Sequence, residues 1–246
     1  MSGISRRAWL KAAGASAALP VAARAATAPA KSAPTPPASP TFLTAPERAC
    51  IEAAVARLIP SDDQGPGAIE AGVADFIDRQ LGAAWGAGER LYRSGPWHAG
   101  TPQQGYQLPF TPAQLFRNGI RGFDDDTRRA RGKVFAQLSP QDQDAVLHDI
   151  EKSDRDFSGV PAKVFFDSLL AMTIEGYFSD PVYGGNRGML AWKMIGFPGA
   201  HANYYNLVDQ HGIAFVREPM SLAESGGGEV HVHPQIPAYA PPLRKS

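Results

Sequence analysis

Apolar positions recur three and four residues apart in stretch after stretch of this chain, the spacing of helices that turn one face to a core. The first stripe is Ile51, Ala54, Val55, Leu58 and Ile59, introduced by Thr44-Ala45-Pro46-Glu47. Those four residues predict a capping box, in which the threonine oxygen satisfies a free amide of the first turn while Glu47 reaches back. Pro60 ends this helix, Gly65-Pro66-Gly67 redirects the chain, and Ile69, Val73, Phe76, Ile77 and Leu81 mark a second helix. Residues from Gly82 to Gly105 read as loop, with Trp97 as its anchor. Further helix starts fall at Thr111-Pro112, at Ser139-Pro140 and at Pro161, since proline near the first helical position loses little by lacking an amide. Their buried stripes are Leu115, Phe116 and Ile120, then Val146, Leu147 and Ile150, then Phe165, Leu169, Met172 and Thr173. No alternating run is long enough to predict a sheet. The fold class expected is mostly α: a single compact helical domain with long ordered loops.

The densest run of specified residues lies from Glu175 to Gly199, EGYFSDPVYGGNRGMLAWKMIGFPG. Asp180-Pro181 stops the preceding helix, because proline disfavours helical conformation in the residue before it. Gly184-Gly185-Asn186 then tolerates positive φ and permits a sharp turn. Tyr177, Phe178, Tyr183, Met189, Trp192, Met194, Ile195 and Phe197 crowd around that turn, more apolar area than a solvent loop carries. Each aromatic alone could be closing a core; together they nominate a surface for another protein. Aromatics and arginine dominate interfaces energetically, which singles out Tyr183, Arg187 and Trp192 with Gly184, Gly185 and Asn186 between them. Glu175, Asp180 and Arg187 read as a helix-end ion pair in preference to an acid–base cluster.

Composition changes the picture at the two ends. The 246 residues are 43% hydrophobic and 20% charged, enough for one sizeable core. The formal charge is +0, yet Arg6, Arg7, Lys11 and Arg24 lie in the first 25 residues and no acidic residue appears before Glu47. Without those four, 20 basic residues face 24 acidic ones, which argues against a nucleic-acid partner. Ser5-Arg6-Arg7-Ala8-Trp9-Leu10-Lys11 fits a twin-arginine export signal, carried by Arg6, Arg7, Trp9 and Leu10. The mildly apolar segment behind it is too short to span a bilayer, and Ala23-Arg24-Ala25 offers a cleavage point. The destination expected is the periplasm, reached through the twin-arginine translocation machinery. The predicted organisation is a signal over residues 1–25, a disordered Pro/Ala-rich linker over 26–43, a helical domain over 44–222 and an extended tail over 223–246. That tail sets Ile236 and Tyr239 among Pro234, Pro237, Pro241 and Pro242, a composition suited to lying along another protein.

Most cofactor chemistry is missing from the sequence. Gly184-Gly185-Asn186-Arg187-Gly188 has neither the spacing nor the preceding strand of a dinucleotide-binding turn. Cys50 is the single cysteine, too few for covalent haem or for a thiolate-held iron–sulfur cluster. It reads either as a small buried side chain or, in an exported protein, as one half of an intermolecular disulfide. His231 and His233 would share a face of an extended tail, the spacing of a two-histidine metal site with no third ligand nearby. No cofactor is expected in this chain.

The string DPVYGGNRGM…WKMIGFPG, with Leu58-Ile59-Pro60-Ser61-Asp62, Gly65-Pro66-Gly67-Ala68, Ala71-Gly72-Val73-Ala74-Asp75-Phe76-Ile77-Asp78 and Tyr92-Arg93-Ser94-Gly95-Pro96 in order, resembles the gluconate 2-dehydrogenase subunit 3 family. The resemblance covers roughly Thr44 to Arg217; it departs at Gly188, where the family often has an acidic residue. It implies the small subunit of a membrane-associated sugar or sugar-acid dehydrogenase. The implied partners are a large flavin-binding (FAD) catalytic subunit and often a multihaem cytochrome c. Such a subunit supplies the export signal the large one lacks, supports its folding and meets the membrane only through the complex. A self-contained periplasmic enzyme or metal-binding protein, using His231 and His233, is the alternative.

Overall fold

The computed structural model describes residues 42–225 apart from 90, 99, 202–204, 206–207 and 213–216. The signal residues Arg6, Arg7, Trp9 and Leu10, the linker, and the tail residues His231, His233, Ile236 and Tyr239 lie outside the described residues. The described part is mostly helical, with seven helices and one two-stranded ribbon.

Helix α1 (Ala45–Leu58) starts at the expected capping box, where Glu47 accepts the Thr44 amide at 2.8 Å. Glu47 is also clasped by Arg117 at 2.7 Å. The same guanidinium lies over the Phe42 ring and donates to the Phe42 carbonyl, which pins the chain entry to the helix that carries Arg117. Helix α2 (Val73–Leu81) begins later than the apolar stripe suggests. Ile69 is exposed in the turn ahead of it. Gly72 makes that turn in the left-handed region, where a side chain would also collide with Arg187. Helix α3 (Pro112–Arg131) is capped by Thr111, which accepts the Gln114 amide, and stops at Gly132 in the left-handed region. Helix α4 (Pro140–Glu151) is capped in the same way by Ser139.

A hairpin of two short strands, β1 (Asp156–Phe157) and β2 (Val160–Pro161), then turns through Ser158 and Gly159, both at positive φ. Its β1 strand lies so close to α3 that only a glycine fits at position 122. Helix α5 (Ala162–Phe178) is the central element, packed against α1, α2, α3 and α4. Its Phe165 joins Phe116, Phe123 and Phe157, with ring centroids about 6 Å apart, and Phe135 completes the group against Phe123 at 4.8 Å. Such offset and edge-on stacking adds to the burial of large rings. The stripes predicted for α3, α4 and α5 are all in this core. Two short helices follow, α6 (Leu190–Ile195) and α7 (Leu222–Ser225).

Candidate functional site

The segment after α5 is a closed loop held by its own polar atoms. Asp180 ends the helix as predicted: one carboxylate oxygen accepts the Val182 amide at 3.0 Å and starts a 3-10 turn over Pro181–Tyr183. The other accepts the Leu222 amide at 2.7 Å, which ties α7 to this turn. Asn186, at φ 43°, is wholly buried; its amide donates to the Ser179 carbonyl at 3.0 Å and accepts from the Ala191 amide at 2.9 Å. Gly185 lies against the Gly176 carbonyl, where no side chain could stand. Trp192 donates its indole N–H to the Phe178 carbonyl at 2.8 Å. Because every one of these partners is backbone, the loop keeps its shape through its own fold.

This arrangement corrects several expectations. Trp192 is only 6% exposed, and Gly184, Gly185 and Asn186 are buried, so these four brace the loop and are not offered to a partner. The Glu175, Asp180 and Arg187 ion pair does not form. Asp180 is occupied by two amides, while Arg187 pairs with Asp75, itself bound to Arg48, and donates its own amide to the Ala71 carbonyl at 3.1 Å. Arg187 thus clamps the loop to α2 while much of its side chain stays exposed. Cys50 is buried at 1% exposure beneath α3, which removes it from any intermolecular disulfide in this conformation. Burial, and then the neighbouring Asp124 carboxyl that accepts its S–H, push its thiol well above the usual range. Trp97 is half-buried in the 82–105 loop, at one side of a hollow of about 380 Å³ shared with Arg93, Tyr106 and Phe110.

Much of what the loop leaves outside is apolar, beside the exposed Arg187 and Lys193. Tyr183 is 50% exposed and Ile195 57% exposed, and Phe178, Val182, Met194 and Phe197 are also at the surface. Phe197 stacks edge-on against Trp192 at 5.1 Å. Between α2 and α5 this surface sinks into a groove of about 500 Å³, walled by Phe76, Gln80, Ile174, Glu175, Phe178 and Tyr183. Partial burial raises the Glu175 carboxyl above its ordinary pKa. The groove was not foreseen from the sequence. Its one signal is Ile174, an isoleucine off the buried stripe of Phe165, Leu169, Met172 and Thr173, left exposed on an otherwise apolar helix.

Among the described residues no group of three or more His, Cys, Asp or Glu side chains is placed to hold a metal ion, and no helix is long and apolar enough to cross a membrane. Comparison with known proteins finds that residues 45–199 match the family model described as gluconate 2-dehydrogenase subunit 3. No curated protein and no solved structure matches the chain. The match runs from the first residue of α1 to the end of the braced loop, more than half of the chain, and this protein belongs to the gluconate 2-dehydrogenase subunit 3 family.

Proposed function

We propose that the chain is the non-catalytic small subunit of a periplasmic, membrane-associated dehydrogenase of the gluconate 2-dehydrogenase type. Its large partner binds FAD and oxidises the sugar acid, and a multihaem cytochrome c takes the electrons onward. This chain carries the twin-arginine signal, supports the folding of the flavin subunit and brings it across the membrane. The family match over residues 45–199 is the observation that carries this reading. The exposed apolar surface beside a prebuilt loop supports it, since docking onto a formed surface costs less ordering than docking onto a flexible one.

The experiment is co-expression of both subunits with Arg6→Lys and Arg7→Lys in this chain. Both subunits are expected to remain in the cytoplasm. A flavin subunit that reaches the periplasm regardless would travel by its own signal, and a flavin spectrum with sugar-oxidising activity in this chain purified alone would favour a self-contained enzyme.

A further inference from the structure

The groove between α2 and α5 is shallow and mostly apolar. Phe178 and Tyr183 supply exposed ring surface above the buried Phe76, Ile174 an aliphatic wall, and Gln80 an amide at the edge. Aromatic-lined grooves of this kind accept proline-rich segments, which enter already extended and so lose little conformational freedom on binding.

A segment of that composition begins at the groove's own rim. Asp180 lines the groove and also accepts the Leu222 amide, so α7 is fastened there and the chain leaves from Ser225. Residues 226–246 follow, with Gly226-Gly227-Gly228 first and then Ile236-Pro237-Ala238-Tyr239-Ala240-Pro241-Pro242-Leu243. At about 3.3 Å per residue, the eleven residues from Ser225 to Ile236 reach up to about 36 Å, so the length permits a return to the groove. Charge agrees as well. Glu175 places a carboxyl in the wall, Asp180 being taken up by two backbone amides, whereas this segment carries Arg244 and Lys245 against the single Glu229.

We propose that the C-terminal segment, through Ile236, Tyr239 and Leu243, is an intramolecular strap that occupies the α2–α5 groove of the same chain. The strap belongs to the free subunit and requires no partner. It protects an apolar surface that would otherwise face water in a chain waiting for assembly.

Amide hydrogen exchange of the mature chain, at a concentration where light scattering reads a monomer, tests this. Two variants of unchanged length are compared with it: Ile236→Ser/Tyr239→Ser/Leu243→Ser in the strap, and Ile174→Asp in the groove. Ile174 is exposed, so Ile174→Asp is expected to leave thermal unfolding nearly unchanged. The Val182, Tyr183 and Leu222 amides are expected to exchange roughly tenfold faster in either variant than in the unaltered chain. Combining the two changes should add nothing, because both remove one contact. Equal exchange in all chains overturns the strap, and so do effects that add in the combined variant. Protection that grows with protein concentration also overturns it and makes a second copy the occupant.

Discussion

At the scale of single residues, the most informative pair is Cys50 and Asp124. Asp124 accepts the Phe135 amide at 3.0 Å and the Cys50 thiol, and burial raises its carboxyl above the ordinary value despite those donors. A carboxyl whose folded pKa is raised contributes stability that is fully present below its unfolded value, about 3.9, and is lost as pH rises through the folded value. An asparagine there can still accept a hydrogen bond but has no such titration. Asp124→Asn is therefore expected to gain stability relative to the unaltered chain as pH rises from about 3 to about 7. Urea unfolding of both proteins across that range is the check, and a difference that stays flat with pH would falsify the account. The same burial keeps Cys50 protonated and out of reach, which makes it a core side chain in this conformation and not a crosslink.

Among the elements, the contact between α3 and the β1–β2 hairpin is the least forgiving. A Cβ at Gly122 meets backbone atoms of Phe157, which cannot rotate aside. Gly122→Ala should therefore cost about 2 kcal/mol or more despite alanine's better helix propensity. Thermal unfolding reads this directly, and an unchanged or raised Tm would show that the hairpin yields. A Thr111→Ala change in the same helix should cost only about 1 kcal/mol, the loss of one cap. Helix starts of this kind were legible in the sequence, because Thr44, Thr111 and Ser139 each combine a capping oxygen with a following proline. The buried stripes were legible for the same local reason. Ile69 was not, because the helical period continues through a turn that Gly72 makes left-handed to let Arg187 pass. Trp192 was not either: its burial depends on the Phe178 carbonyl on another helix, and no spacing within α6 reveals that. The groove escaped notice because its walls come from α2 and α5, which are far apart in sequence.

At the scale of the whole molecule, the braced loop leaves a group of apolar side chains at the surface. Ile195 and Phe197 are among them, next to the buried Trp192. Ile195→Asp with Phe197→Asp should change stability by less than about 1 kcal/mol and yet abolish co-purification with the proposed flavin subunit. Retained co-purification would move the interface elsewhere. In contrast, disturbing Asn186 should lower the amount of folded chain before any question of affinity arises. The brace formed by Asn186 and Trp192 bears, finally, on kinetics. A loop already locked before the encounter adds no ordering step of its own, so once the proposed strap has left the groove association should proceed at about 10⁵–10⁷ M⁻¹s⁻¹, limited by orientation of the colliding bodies. Stopped-flow mixing of the two subunits would read that rate, and variation in affinity among surface variants should then reside in how long the pair stays together.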